Sequence, residues 1–335
     1  MNGLFLLLIL LFSFSMKNNN VVSHVKKVIS IIEKVNPNYK HLSTNDFVYD
    51  IVNHPAFKGF GELLLPHDDN SNYYNTQLSN VGSLMPYHSH IDPNIVVGSL
   101  NYLIDEVKKG ETIFYDFYSE EQKAKDHDKV FTGLFFFRGK PGAPFAVVCP
   151  GGGFSYVGSL HEGFPLACEI IKKDFNVFVI RYRIGSEQKA TEDLAAAISY
   201  IFRNTNSLGI STRGYSLWGG SAGARMVANI ALNGIKAYGN DSLPKTSAVI
   251  IAYTGQSSFS KDFPPAFITV SADDWIANAN TVDRRVENLR NAGVEVEYHR
   301  YKNAGHGFGI GKGTDAEGWI NSAIHFWEEQ LQKKN

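Results

Sequence analysis

A serine between glycines is the residue in this chain best suited to nucleophilic chemistry. Ser221 lies in the run Gly219, Gly220, Ser221, Ala222, Gly223, after a strand-like segment and before a helix-like one. This GxSxG spacing is typical of a sharp strand-to-helix turn that holds a serine hydroxyl out above a sheet. Gly219 and Gly223 keep the turn free of bulky side chains on both sides of the serine. We therefore predict that Ser221 is a nucleophile.

A serine hydroxyl needs a general base, and His306 is the histidine best placed to supply it. It lies between two glycines in a loop just after a predicted strand. The base in turn needs a carboxylate that stabilises one tautomer of the imidazole. Two adjacent candidates, Asp273 and Asp274, follow the preceding predicted strand. One of them should be the acid, and the other is expected to cap the helix that follows.

A glycine-rich turn earlier in the chain can supply backbone donors for an oxyanion. Residues 150–154 read Pro-Gly-Gly-Gly-Phe and follow a predicted strand at 145–149. Converging N–H groups at such a turn can bind the negatively charged oxygen of a tetrahedral intermediate. We predict that one donor comes from Gly152 or Gly153 and the other from Ala222. The turn lacks the GxGxxG pattern, so we do not expect it to bind a nucleotide.

Composition and charge exclude several other classes of protein. Hydrophobic residues make up 44% of the 335 residues and charged residues 19%, which is typical of a globular protein and excludes a disordered one. The 32 Lys and Arg against 33 Asp and Glu give a net charge of -1, so nucleic acid is not an expected partner.

Neither the cysteines nor the histidines form a pattern that points to a metal. Cys149 and Cys168 are too few for a disulfide framework and lack zinc-ligand spacing, so we interpret them as core thiols. His88 and His90 form a pair without further ligands, which is more typical of a polar loop before a helix capped by Asp92. We therefore predict no metal and no cofactor.

The elements that must position these residues fall into two sections. Residues 17–110 are predicted to form a mainly helical N-terminal extension, with helices over residues 21–35 and 93–107. From 111 to 335, short apolar runs alternate with helical patterns, which predicts a mostly parallel central sheet with helices on both faces. The predicted strands span residues 113–118, 133–137, 145–149, 177–181, 216–218, 248–253, 266–270 and 294–301.

The first residues have the apolar stretch of an export signal. Residues 4–12 are uninterrupted apolar positions, too short to span a bilayer, and Ser13 and Ser15 give a small-x-small pattern. No Lys or Arg precedes the stretch, and Met16 could equally be the start of a cytoplasmic protein. If residues 1–16 are a signal peptide, the protein is exported, and if the segment is not cleaved, it is a membrane anchor. The alternative is a cytoplasmic protein that begins at Met16.

In combination, these motifs resemble those of bacterial α/β-hydrolases of the acetyl-esterase and feruloyl-esterase-like group. The resemblance covers about residues 130 to 335. It implies the α/β-hydrolase fold and its Ser, Asp, His chain order. It also favours Asp274 over Asp273, because Ser271 takes the glycine position of a Gly-x-x-Asp pattern. The motifs that carry it are PGGGF at 150–154, His161-Glu162-Gly163, Tyr182-Arg183, GGSAGA at 219–224, PPAF at 264–267 and HGFG at 306–309.

The expected activity is hydrolysis of small carboxylic esters through an acyl-enzyme intermediate. The resemblance implies short, acetyl-type acyl groups, and Phe154, Tyr156, Tyr253 and Trp275 could line the substrate pocket. A serine peptidase or amidase on the same fold is one alternative, and a binding protein without catalysis is another. The predicted partner is a small-molecule ester, and the oligomeric state stays open.

Overall fold

The described part of the computed structural model, residues 39–333, contains eight strands that form one sheet. Their order in the sheet is β1-β2-β4-β3-β5-β6-β7-β8. Strand β2 is antiparallel to β1 and β4, and all the other neighbours are parallel. The strands are Phe114–Tyr115 (β1), Gly133–Phe137 (β2), Pro144–Cys149 (β3), Asn176–Arg181 (β4), Ser211–Gly220 (β5), Ala248–Ala252 (β6), Ala266–Ser271 (β7) and Val296–Tyr301 (β8).

Nine α-helices lie within the same described residues. They are Val48–Val52 (α1), Pro93–Lys108 (α2), Glu120–Lys125 (α3), Phe164–Ile171 (α4), Glu187–Arg203 (α5), Thr205–Leu208 (α6), Ala222–Asn233 (α7), Ala279–Asn291 (α8) and Trp319–Lys333 (α9).

Helices cover both faces of the sheet, because successive strand side chains point to opposite sides. Leu217 of β5 belongs to a buried apolar cluster with residues of α5 and α7, such as Leu194 and Val227. The next residue, Trp218, lies on the other face, with its ring centroid 6.4 Å from that of Trp319 in α9. Burial of such large side chains stabilises the fold by roughly 1.5–3 kcal/mol each. This two-sided packing agrees with the layered arrangement predicted from the sequence.

Among the described residues, short helices precede α2 in the N-terminal region. Asp92 caps α2 as predicted, since its side chain accepts a hydrogen bond from the Asn94 N–H at 2.9 Å. The residues from His41 onward form one compact unit with the sheet. The predicted division of the chain at residue 110 stays a prediction. The predicted signal segment at 1–16 and the predicted helix at 21–35 lie outside the described residues.

The carboxyl ends of the parallel strands bring the predicted site segments to one edge of the sheet. The turn after β3 begins at Pro150, Ser221 follows β5 directly, and the loops that contain Asp274 and His306 follow β7 and β8. Ligand sites of open α/β sheets lie at this edge. Among the described residues, no helix has both the length and the apolar character needed to cross a lipid bilayer.

Candidate active site

Ser221 lies at a tight turn between β5 and α7. Its backbone has φ 49° and ψ -112°, a strained conformation for a residue with a side chain, and its N–H donates to the Ala252 carbonyl at 3.0 Å. Glycine is required two residues further on, because a Cβ on Gly223 would overlap the carbonyl oxygen of Cys149. A Cβ on Gly219 would lie only 2.5 Å from the Gly223 carbonyl carbon. The turn is therefore as sharp as the GxSxG spacing predicts.

The structure brings Ser221, His306 and Asp274 into one hydrogen-bonded line. His306 Nε2 lies 2.9 Å from Ser221 Oγ, and His306 Nδ1 lies 2.8 Å from Asp274 Oδ2. His306 is 1% exposed, and the Asp274 side chain has no exposed surface. This arrangement can move a proton from the serine hydroxyl to the imidazole while the carboxylate stabilises the resulting charge.

The two adjacent aspartates occupy different positions. Asp274 faces the imidazole, and its Oδ1 also accepts the N–H groups of Ile276 and Ala277 at 2.8 and 2.7 Å. Asp273 instead accepts the Ser271 hydroxyl at 2.5 Å and the Gly305 N–H at 2.9 Å, so it braces the loop that carries His306.

The prediction that the second aspartate caps the next helix is wrong. Helix α8 is capped by Asn278, whose side chain accepts the Asn280 N–H at 3.0 Å. Asp273 does not cap α8, because its Oδ1 already accepts hydrogen bonds from the Ser271 hydroxyl and the Gly305 N–H.

The glycine-rich turn after β3 lies against the nucleophile. A Cβ placed on Gly151 would be 2.9 Å from the Ser221 Cβ, so the turn backbone packs directly beside the serine. The Gly151 N–H is already used, since it donates to Glu162 Oε2 at 2.5 Å. Gly152 and Gly153 have φ values of 133° and 63°, which favour glycine. Their N–H groups and that of Ala222, the first residue of α7, are the predicted oxyanion donors.

A buried carboxylate beneath this turn was not singled out as a site residue from the sequence. Glu162 is 2% exposed, and its Oε1 lies 3.1 Å from His88 Nε2. Burial by itself raises the pKa of the Glu162 carboxyl, but the charge of His88 and the hydrogen bond from the Gly151 N–H outweigh it and lower the pKa to about 2. Only the position of Glu162 within the His-Glu-Gly motif signalled it in the sequence.

The two histidines at 88 and 90 have separate environments. His90 is exposed, whereas the His88 side chain is 1% exposed and packs against Glu162. The interpretation as a simple polar loop therefore misses the buried role of His88. The described residues include no group of three or more side chains arranged to hold a metal ion.

Aromatic side chains surround the site at different depths. Tyr156 and Tyr253 are each 1% exposed, and the Tyr253 ring lies 5.4 Å from that of His306. Trp275 is 61% exposed and Tyr87 41%, so these two side chains lie at the mouth of the site. Of the predicted pocket aromatics, Trp275 is therefore accessible to a substrate, while Tyr156 and Tyr253 support the loops.

Residues 138–279 match the BD-FAE family model. None of the curated protein sequences compared with the chain matches it.

Several solved structures share the fold. An esterase from the Planctomycetes species Thermogutta terrifontis, with propionate bound, is 19% identical with a TM-score of 0.55, and the alignment covers 64% of this chain and 93% of the esterase. A sugar hydrolase from Lactococcus lactis is 21% identical with a TM-score of 0.52, over 61% of this chain and 96% of the hydrolase. An acetyl ester-xyloside bifunctional hydrolase from Caldicellulosiruptor lactoaceticus is 17% identical with a TM-score of 0.52, over 59% and 88%.

At these identities, the likeness to solved structures shows the fold. The predicted α/β-hydrolase fold is thereby confirmed, and residues 138–279, within the stretch that carries the predicted resemblance, match the BD-FAE family model.

Proposed function

We propose that the chain is a serine hydrolase that cleaves carboxylic esters through a Ser221, His306, Asp274 triad. The observation that carries the proposal is the hydrogen-bonded line from Ser221 Oγ to His306 Nε2 at 2.9 Å and from His306 Nδ1 to Asp274 at 2.8 Å. This line begins at a strained serine that directly precedes a helix. The esterases among the fold's solved examples agree with this proposal.

The first step is acylation. Neutral His306 accepts the Ser221 hydroxyl proton at Nε2 while Oγ attacks the ester carbonyl carbon. Asp274 accepts the hydrogen bond from Nδ1–H and stabilises the imidazolium. The carbonyl double bond becomes a single bond to an oxyanion, and collapse of this intermediate expels the alcohol oxygen, which takes the proton from Nε2. The product on the enzyme is an ester of Ser221.

The oxyanion requires donors that are fixed before the reaction. The Gly152 or Gly153 N–H and the Ala222 N–H fit this role, because Gly151 packs beside Ser221 and its own N–H is occupied by Glu162. The partial positive charge at the start of α7 adds to the stabilisation.

The second step is hydrolysis of the acyl-enzyme. Water gives a proton to His306 Nε2 and attacks the acyl carbon, and the proton then returns to Ser221 Oγ as the acid leaves. Every proton in the cycle moves through the imidazole, so the proposed chemistry needs neither a cofactor nor a metal.

We extend the proposal to short acyl groups. Space beneath the nucleophile is filled, since a Cβ on Gly220 would lie 2.6 Å from Glu162 Oε2 and 2.9 Å from Tyr253 Cε2. An acyl chain therefore has no room on that side of Ser221. The acyl group and the alcohol would instead share the open rim near Trp275.

A panel of model substrates tests the proposal. p-Nitrophenyl acetate, butyrate and octanoate should be hydrolysed in that order of decreasing kcat/KM, and peptide p-nitroanilides should not be cleaved. The Ser221→Ala variant should lose several orders of magnitude in rate. Ser99→Ala is the matched control, because it removes another buried hydroxyl, in α2 and outside the site. This hydroxyl donates to the Val96 carbonyl oxygen at 2.7 Å.

Two results would redirect the assignment. Preferential cleavage of the anilides would favour a serine peptidase or amidase on this fold. Absence of turnover together with failure of a fluorophosphonate to label the folded protein would favour a binding protein without catalysis.

A further inference from the structure

A short segment of the N-terminal region lies between the two loops that carry the proposed catalytic groups. We name residues 85–91 the strap. On one side of it lies the turn after β3, which carries the proposed oxyanion donors, and on the other lies the loop that carries His306. The strap falls outside the region that matches the BD-FAE family.

His88 and its neighbour connect the strap to the turn after β3. The Tyr87 N–H donates to the Tyr156 hydroxyl at 2.9 Å, and His88 Nδ1 lies 2.8 Å from the same oxygen. On the other side of its ring, His88 Nε2 lies 3.1 Å from Glu162 Oε1. Glu162 Oε2 in turn accepts the Gly151 N–H at 2.5 Å. A continuous chain of buried polar contacts therefore runs from the strap to the backbone beside Ser221.

Ser89 connects the strap to the His306 loop. Its hydroxyl lies 2.7 Å from the His306 carbonyl oxygen and 3.1 Å from the Ala304 carbonyl oxygen. Its backbone N–H donates to the Gly307 carbonyl at 3.2 Å. Three of the four carbonyl groups of residues 304–307, all but that of Gly305, thus lie within 3.2 Å of Ser89.

Glycines in both loops make room for the strap. A Cβ on Gly158 would lie 2.7 Å from the His88 ring, and a Cβ on Gly307 would lie 3.0 Å from the His88 Cα. The glycine that follows His306 therefore permits this packing as well as a positive φ of 63°. The strap is therefore in close contact with both loops.

We propose that the strap fixes the distance between the oxyanion donors and His306, with His88 and Ser89 as positioning residues. Adjacent residues contact opposite loops, so a shift of either loop must move the strap and thereby strain its contacts with the other. Catalytic groups need alignment to within about 0.5 Å, and supporting contacts of this kind supply it. His88 also pairs the buried Glu162 carboxylate, which would otherwise be an uncompensated charge. The expected effect of the strap on the rate rests on the proposed function, whereas its restraint of the two loops does not.

Ser89→Ala is the first test, with Ser89→Thr as the conservative variant and Ser99→Ala as the control. Loss of the hydroxyl should lower kcat for p-nitrophenyl acetate about tenfold with KM unchanged. Ser89→Thr keeps a hydroxyl and should recover kcat to within about twofold of the wild type. Equal kcat in Ser89→Ala and Ser99→Ala, or an equal loss in Ser89→Ala and Ser89→Thr, would overturn the proposal.

Hydrogen exchange followed by mass spectrometry gives a readout that does not depend on activity. Ser89→Ala should speed amide exchange in residues 303–309, and His88→Gln should speed it in residues 151–158, relative to Ser99→Ala. Unchanged exchange rates in both segments would refute the proposal that the strap restrains the two loops, whatever the activity of the variants. Faster exchange in the variants would support the restraint of the loops by the strap. If the wild type at the same time neither hydrolyses esters nor reacts with a fluorophosphonate, the ester-hydrolase proposal would be refuted.

Discussion

Replacing Asp274 by asparagine tests the proposed acid, because the structure fixes which way the new amide must point. Oδ1 of Asp274 accepts two backbone N–H groups, from Ile276 and Ala277, at 2.8 and 2.7 Å. In the Asp274→Asn variant the amide oxygen must take that position, 2.9 Å from His306 Nδ1, and the NH₂ group takes the Oδ2 position, 2.8 Å from the same nitrogen. Donation from the NH₂ group to Nδ1 favours the tautomer with the proton on Nε2, and that tautomer cannot accept the Ser221 proton.

The expected loss in kcat is about four orders of magnitude, by analogy with the same change in serine-protease triads. This corresponds to about 5.4 kcal/mol of transition-state stabilisation. KM should change little, since the substrate does not contact the carboxylate. The overall fold should be kept, because both backbone donors retain an acceptor.

Asp273→Asn is the matched control. Both donors to Asp273, the Ser271 hydroxyl and the Gly305 N–H, bind the same oxygen, Oδ1, and an asparagine oxygen can accept both. We therefore expect a loss of less than about tenfold. The assay is kcat and KM for p-nitrophenyl acetate, with the thermal unfolding midpoint of each variant measured alongside. A larger loss in Asp273→Asn than in Asp274→Asn would refute this reasoning.

Two further predictions concern stability. Gly223→Ala should destabilise the fold by about 3 kcal/mol or more, because its Cβ would overlap the Cys149 backbone. Gly98→Ala, in an open position of α2, should instead be neutral or stabilising by up to about 1 kcal/mol. Urea unfolding measures both variants, and equal effects would contradict the packing described. Burial, and then the charge of His88, lower the pKa of His161 from 6.5 to about 4, so the unfolded chain takes up a proton first as the pH falls. Protonation of this one imidazole should therefore cost the wild type about 3 kcal/mol of stability between pH 6.5 and 4, so His161→Gln should lose less stability over the same range. Parallel pH profiles for the two proteins would count against a buried neutral imidazole.

Local signals in the sequence were enough to predict the segments of the proposed triad and most of the sheet. The GxSxG turn has a steric cause that lies within five residues, so its position could be read directly. Strand Gly133–Phe137 is a short apolar run with clear ends, and its predicted bounds agree with the structure, whereas the strand predicted at 113–118 spans only Phe114–Tyr115. The choice of Asp274 needed the family pattern, since Asp273 stands beside it with the same chemistry.

Predictions failed where distant residues decide the local structure. Strand β5 begins at Ser211, five residues before its predicted start, because pairing of Ser211 with Pro144 and a register shift extend it past Gly214. Helix α4 was not predicted, since five of its eight residues are buried and Glu169 is its only charged residue, so it shows no polar face. His88 and Glu162 meet only through the tertiary fold, so neither could be identified as a partner of the other from sequence spacing.

The site of covalent modification by a fluorophosphonate tests the central claim most directly. This reagent reacts with an activated serine, so peptide mass mapping should find one modified residue, Ser221. Labelling should disappear in Ser221→Ala and be strongly slowed in His306→Ala. Modification of a different serine, or undiminished ester hydrolysis by folded Ser221→Ala, would contradict the proposed nucleophile.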